Sequence, residues 1–425
     1  VVKPNDALFF TNLAASLQQA GLPERAIEYA QRALALDPNR YEAHVVTGQC
    51  LAAASAYAPA LDSFKAAHAR QPSDRKSVAG VIDCLQGLGR DAEAEAFIAG
   101  LQFELDDPLK MIRGRLLRIL NRHDEALAVL QSCRIRAGHD WHAAMLKLRL
   151  DRKEPQLSLP HGQSLLEIKQ QVAFERMPLP ERETMRQDWA PVPPFRANDE
   201  TGRERNVICF SLWGANPKYT LNAVLNAKHV PHFYPGWSAR FYVDDSVPTD
   251  IVQALVDYGA RVIKVAQDAR ETLKLFWRFL ASEDKQVERF LCRDCDAVVN
   301  AREAAAVKEW IDSGKRFHVM RDHPEHAELI MAGMWGGIAG SLPDLSDQAV
   351  RYYESHEQKW RWVDQDFLRD RVWPVIVEDC LVHDEFYRMG NDCKRFPEGS
   401  ALPEGEHVGG YRPRFAVEKG AHGAS

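Results

Sequence analysis

Two kinds of hydrophobic patterning divide this chain. From about residue 5 to 140, apolar positions recur at helical spacing in paired segments joined by short polar turns, and the whole pattern repeats. Pro4, Pro38, Pro72 and Pro108 follow one another at steps of 34, 34 and 36 residues. Ala26, Ala60 and Ala94 keep steps of 34, with Ala126 at 32, and Gly21, Ser55 and Gly89 stay in the same register. Each unit reads as helix, turn, helix and a proline stop, with residues 22–38 a complete second helix. Runs of small residues such as 52–55 fall where paired helices must approach closely, so that stacked units bury one continuous core.

From Asn206 the period changes. Val207–Leu212 is a short, nearly unbroken apolar run of the kind buried on both faces of a parallel sheet. A turn at 213–217 leads into a helix from Lys218, then a strand over 239–245, a helix over 248–258 and a strand over 261–265. A helix over 271–281 and a strand over 288–292 follow. Alternating β and α predicts a doubly wound parallel sheet. Between the halves lies one amphipathic helix around 163–172, then a charged connector bracketed by Met177-Pro-Leu-Pro180 and Pro191-Val-Pro-Pro194. Proline at that density resists helix and sheet, so the connector is expected to pack on a neighbour or to act as a stiff spacer. The predicted organisation is a helical array over 1–175, a linker over 176–205 and an α/β domain over 206–425: an all-α solenoid followed by an α/β fold.

Composition adds exclusions. The chain has 425 residues, 45% hydrophobic and 27% charged, with a net charge of −6. That balance gives no sign of a general nucleic-acid or anionic-membrane binder. No apolar run is long enough to predict a transmembrane helix. Residues 1–5 are not read as a signal peptide, and the chain begins without Met. Eight scattered cysteines read as reduced thiols, pointing to a cytoplasmic protein. Cys292 and Cys295 form a C-x-x-C without a second pair, and an offset of three on a strand sends the sulfurs to opposite faces, so both are read as packing thiols.

The candidate chemistry gathers at strand ends, where ligands bind in open α/β sheets. Asp294 and Asp296 are two residues apart, so on an extended segment their carboxylates share a face and repel unless a cation sits between them. Mg²⁺ is commonly held by one or two carboxylates plus phosphate oxygens. Trp213, Asp244 and Asp245 fall at other strand ends. Asn300 and Glu303 have the spacing of a helix-capping pair. Arg321-Asp322-His323-Pro324 crowds polar side chains after a strand over 316–320, a placement read as recognition of a polar ligand. Gly333, Gly336 and Gly337 would let a ligand approach the backbone, with Trp335 as a stacking face.

The first half resembles the tetratricopeptide repeat, over residues 5–140 in about four units. The second half, over 206–415, resembles the GT-A class of metal-dependent glycosyltransferases. The residues carrying that resemblance are Ser211-Leu-Trp-Gly214 with Tyr219, Tyr234-Pro-Gly-Trp237, Tyr242-Val-Asp-Asp245, Arg293-Asp-Cys-Asp296, Arg302-Glu303, Met320-Arg-Asp-His-Pro324, Ala332-Gly-Met-Trp-Gly336, Asp364-Gln365 and His383-Asp384. It implies that Asp294 and Asp296 hold Mn²⁺ or Mg²⁺ against a donor diphosphate, with His383 either a further metal ligand or a strand cap. It places Trp213, Tyr219 and Asp244 around the nucleoside, although Trp213 could equally pack in the core. Arg278 would reach the diphosphate, with a structural salt bridge as its alternative, and Arg293 would bind the donor. His323, Gly333, Trp335 and Gln365 would contact the donor sugar, and Asp364, then Asp322, are the catalytic carboxylates. The segment 407–411 would close over the donor.

The expected function is transfer of a sugar from a nucleotide-sugar donor to a glycan or protein acceptor, with the repeats recruiting that acceptor or another partner, or forming a homodimer. Two alternatives remain open. One is a metal-dependent nucleotidyltransferase or phosphohydrolase, although no G-x-x-x-x-G-K-[ST] loop is present. The other is a repeat adaptor carrying an inactive transferase domain.

Overall fold

A computed structural model describes residues 6–198, 204–265, 271–355 and 362–410, with the side chains of 271 and 272 excepted. Tyr411 and all that follows lie outside the described residues. The chain forms two compact units, Val1–Glu154 and Pro155–Ser425.

The first unit is a tetratricopeptide-like array of paired helices, from Ala7–Gln19 and Pro23–Leu36 to Asp107–Ile119 and His123–Gln131, followed by His139–Asp151. The repeat is written into the backbone. Gly21, Ser55, Gly89, Asn121 and Lys153 all have positive φ, between 58° and 74°, at steps of 34, 34, 32 and 32 residues. Each reverses the chain after the first helix of a pair. Glycine does this without strain, whereas Ser55 and Lys153 accept the left-handed region at some cost. Small side chains line the contacts: Ala14, Ala26 and Ala30 are buried together, and Ala60, Ala67 and Ala94 pack with Phe64. A Cβ on Gly48 or Gly80 would lie within 2.9 Å of the Phe64 ring, so the ring sits flat on two helices.

The expected boundary after residue 175 is displaced. Lys153 supplies the turn of a further pair, but the helix that follows, Pro155–Arg176, packs in the second unit. Lys169 Nζ donates to the Ala327 carbonyl at 2.7 Å, Trp373 Nε1 donates to Gln170 Oε1 at 3.1 Å, and Arg176 pairs with Asp370. The proline-rich connector is neither structureless nor free. Pro178 and Pro180 fall at the start of helix Leu179–Arg186, where a missing N–H costs nothing. Beyond it, Trp189 Nε1 donates to the Ser341 carbonyl at 2.8 Å, and Phe195 stacks on Trp237.

The second unit is built on an eight-stranded sheet: β1 (Asn206–Leu212), β2 (Ser238–Val243), β3 (Arg261–Lys264), β4 (Arg289–Arg293), β5 (Phe317–Arg321), β6 (Met334–Ile338), β7 (Cys380–Asp384) and β8 (Asp392–Lys394). Their order is β3-β2-β1-β4-β6-β5-β7-β8. The sheet is mixed, not parallel throughout: β6 runs antiparallel to both β4 and β5. Every residue of β1, β4, β5, β6 and β7 is buried, as expected for strands covered on both faces. The predicted helix over 271–281 is a 3₁₀ stretch, Glu271–Glu283, kinked at Leu273. Its residues Leu273, Phe276, Trp277 and Phe279 are buried.

Candidate functional site

The strand order turns back on itself at β1. The chain leaves β1 toward β2 and β3, then returns to lay β4 on the other side. Between the carboxyl ends of two such strands a crevice is left open, the usual ligand position in open α/β sheets. Asp294 and Asp296 follow β4 there. Helix Pro217–Phe233 pins their segment: Asn222 Nδ2 donates to the Asp296 carbonyl at 2.9 Å and Asn226 Nδ2 to that of Ala297 at 2.8 Å. Cys295 between them is buried, with Sγ 3.3 Å from the Ser211 carbonyl. Its neighbours are thereby turned toward the crevice.

Arg278 is the hub. Its backbone N–H donates to Ser211 Oγ at 3.0 Å, fixing the 3₁₀ stretch to the end of β1. Its guanidinium pairs with Asp294 and, through Nη2, with Asp364 Oδ2 at 2.8 Å. Arg278 and Asp364 are each 4% exposed. Burial, opposed by Arg278 and reinforced by the charge on Asp294, raises the Asp364 carboxyl to about 6. Asp364 starts the short helix Val363–Phe367, and a π-helical turn over Leu368–Val372 follows it. Gln365 is half-buried beside it.

Each acid of the crevice already has a cation. Lys218 Nζ lies 2.9 Å from Asp296 Oδ2, and Lys274 pairs with Asp244, which also accepts from Ser246. Burial works against an ionised Asp244, but the bonds from Lys274 and Ser246 outweigh it and hold the carboxyl below its ordinary value. Lys218 and Lys274 were not among the residues expected from sequence. Lys218 stood one position before the expected Tyr219, in the first turn of a helix leaving a strand end, which was the available signal. Trp213 is 37% exposed and meets Trp277 edge-on at 6.3 Å, so it is not core packing. Tyr219 is half-buried, with Lys218 5.3 Å from its ring centre. Gly333 fits tightly: a Cβ there would come within 2.0 Å of Asp294 Oδ2.

Several expected contacts fall elsewhere. Trp335 is fully buried between Phe279 and Phe290, at 5.4 and 5.2 Å, and cannot stack on a sugar. Gly336 and Gly337 make room for Phe290 and Phe317, not for a ligand. Arg293 is buried with Glu303, Nε to Oε2 at 2.9 Å, and does not face a diphosphate. Glu303 also completes the predicted capping box with Asn300. Asp322 is not a free base: Arg302 grips both its oxygens at 2.8 and 2.9 Å, and the Val408 N–H donates to it at 2.9 Å. Asp384 pairs with Arg321 at 2.8 Å, both fully buried. His323 is half-buried, its ring stacked on that of His407.

Of the two roles left open for His383, that of metal ligand does not fit. His383 is fully buried, with Nδ1 2.8 Å from His318 Nε2 and Nε2 2.9 Å from Glu309 Oε2, leaving no ring nitrogen for an ion. Asp294 and Asp296 pair with different cations, Arg278 and Lys218. Among the described residues no group of three or more His, Cys, Asp or Glu side chains is arranged to hold a metal. This donor set does not fit a divalent ion held by the protein alone.

Another concavity lies in the first unit. A groove of about 690 Å³ in the repeat array is lined by Met111, Ile112, Arg115, Ile135, Trp141 and Lys147, among others. Among the described residues no helix is long and apolar enough to cross a membrane. All eight cysteines are free thiols.

No known protein family matches the chain, and no curated protein matches it either. Among solved structures, it is similar to YrrB, a tetratricopeptide protein with an unusual peptide-binding site, at 20% identity and a TM-score of 0.34 over 39% of this chain and 87% of that one. It is also similar to MamA from Desulfovibrio magneticus RS-1, at 13% identity and a TM-score of 0.36 over 40% and 98%. PilF of Pseudomonas aeruginosa matches at 16% identity and a TM-score of 0.34 over 39% and 78%.

Proposed function

We propose that the second unit transfers a glycosyl group from a nucleotide-sugar donor to a hydroxyl of a glycan or protein acceptor. The observation that carries this reading is Asp364: a buried carboxylate, raised to about 6 and tied through Arg278 to Asp294 in the switch-point crevice. A general base works best with a pKa near the working pH. Ionised Asp364 accepts the acceptor's hydroxyl proton as that oxygen bonds to the anomeric carbon. The bond from that carbon to the diphosphate breaks, and its electron pair leaves on the phosphate oxygen. Lys218 and Arg278 are the cations placed to meet that charge, and exposed Trp213 offers an aromatic face to the base.

Mn²⁺ or Mg²⁺ enters this reading only as a companion of the diphosphate, whose oxygens would supply the ligands that the protein lacks. The repeat array recruits the acceptor or another protein partner, or pairs two copies of the chain, and its groove with Trp141 and Ile135 is the surface for that role.

The test is incubation with a panel of nucleotide sugars and acceptors, with product analysis. Release of nucleoside diphosphate together with a glycosylated acceptor supports the proposal. Release of pyrophosphate, or of inorganic phosphate alone, replaces it with nucleotidyl transfer or phosphohydrolysis. Failure of every nucleotide sugar to raise the melting temperature leaves the adaptor reading.

A further inference from the structure

Three histidines meet beside the crevice, and none of them belongs to the chemistry above. His323 and His407 stack with ring centres 4.4 Å apart, His326 lies 4.9 Å from His407, and His323 and His326 are 5.7 Å apart. His323 and His326 come from the turn after β5. His407 comes from a segment far along the chain, which this cluster helps to hold down.

The hydrogen bonds fix the protonation state of two of these rings. The Asp322 backbone N–H donates to His326 Nδ1 at 3.0 Å, and the Glu325 N–H donates to His323 Nδ1 at 3.1 Å. A ring nitrogen that accepts from an amide must carry a lone pair, so both rings are neutral, with their proton on Nε2. Protonating either Nδ1 sets N–H against N–H and breaks the turn. A second proton would also place like charges on rings in van der Waals contact. Burial, then the neighbouring ring of His407, pushes His323 below its ordinary value and His326 well below it.

The charged groups facing the cluster do not offset this. Arg321, at the end of β5, is neutralised by Asp384. Asp322 is taken up by Arg302, which also reaches Glu385. Glu325 favours the charged form of His323 but is itself exposed.

What the cluster holds is a short strap. Val408 is fully buried against Met320, Met334 and Ala306, and its N–H is tied to Asp322. Gly409, at φ 77°, presses on Met334, where a Cβ would come within 2.5 Å of the sulfur. Only about 10 Å³ of free volume remains between Gly409, Gly333 and Asp294. That is about the room of a single water.

We propose that His323, His326 and His407 form an acid-released latch that holds the strap 406–410 against the Asp294 crevice. Near neutral pH the His323 and His326 rings are uncharged, the two amide bonds are made and the strap is docked. Proton uptake breaks those bonds and frees the strap. The sign follows from the geometry: an undocked ring regains its ordinary affinity for protons, so docking weakens as pH falls.

Hydrogen exchange of the ligand-free full chain tests this, read on the peptide spanning 402–410 and corrected for the intrinsic pH dependence of exchange. Protection of this peptide is expected to fall by about tenfold or more between about pH 7.5 and 5.5. The double variant His323→Asn/His326→Asn keeps an acceptor for each amide but cannot titrate, so its protection should stay level. If that variant does not fold, His323→Asn alone removes one of the two titrating acceptors, and its protection should fall less steeply with acid. Protection in the native chain that does not change over this range, or that changes identically in the variants, overturns the proposal. The measurement needs no substrate, so its failure is distinct from failure of the transferase reading.

Discussion

The Arg278 guanidinium meets the Asp364 carboxylate at 2.8 Å, with each side chain 5% exposed. Arg278 also holds Asp294, whose side chain is 47% exposed. One cation therefore spans an acid open to the crevice and an acid hidden beneath it.

Asp364→Asn is expected to lower kcat by about a hundredfold to ten-thousandfold, the usual contribution of a positioned base. In the unsubstituted chain kcat/KM should rise with pH through about 6, as Asp364 ionises. Steady-state rates across pH check this: the acidic limb should vanish with the residual activity of the variant.

The same shift has a stability consequence of opposite sense. A carboxyl raised in the folded state binds its proton more tightly there than in the unfolded chain. Its contribution is therefore greatest below its ordinary value near 3.8, declines as pH rises to about 6 and is constant above that. Denaturant titrations at several pH values should show the native chain losing on the order of 2–3 kcal/mol across that window relative to Asp364→Asn.

Removing the hub itself should be costly. Arg278→Ala leaves Asp364 buried without a counter-charge and should destabilise the fold by about 3–5 kcal/mol. Arg278→Lys should restore part of that loss but not activity, because an ammonium cannot fork between two carboxylates. Urea midpoints and turnover together separate the two effects.

Asp296→Asn should abolish activity with little change in the urea midpoint. Its partner Lys218 is partly solvated, and such pairs contribute roughly 0–1 kcal/mol. Full turnover in that variant would remove Asp296 from the site.

Chelation offers a cheap control. Among the described residues no group of three or more His, Cys, Asp or Glu side chains is arranged to hold a metal, so EDTA should leave the melting temperature of the ligand-free chain unchanged, within about 1 °C. A clear drop would mean that an ion is bound before any donor.

What could be read from the chain follows the range of the interactions. The repeat period, the αL turn at Gly89 and the Asn300–Glu303 capping box are local, set by residues within one turn or one unit. The period and the capping box appear as predicted, and the backbone at Gly89 proves to be left-handed. The short apolar strand at Val207–Leu212 is likewise almost unchanged, as Asn206–Leu212. The direction of β6 was not legible, because Met-Trp-Gly-Gly-Ile reads the same along either orientation. Nor was the fate of the charged residues near strand ends. Arg321 finds Asp384 across 63 residues, and Arg302 finds Asp322 across 20. A cluster of charges that looks chemical in one dimension becomes a set of internal ion pairs once the strands are laid side by side. Asp294, Asp364 and Arg278 stand apart because their network still opens onto the crevice.

The left-handed turns of the array carry a different lesson. They recur from Gly21 to Lys153 in near-constant register, so each helix pair presents the same two faces to the pairs before and after it. Units of that kind can be deleted or duplicated whole, much as links are taken from a chain. The length of the array can then change by whole units without any change to the residues of the crevice.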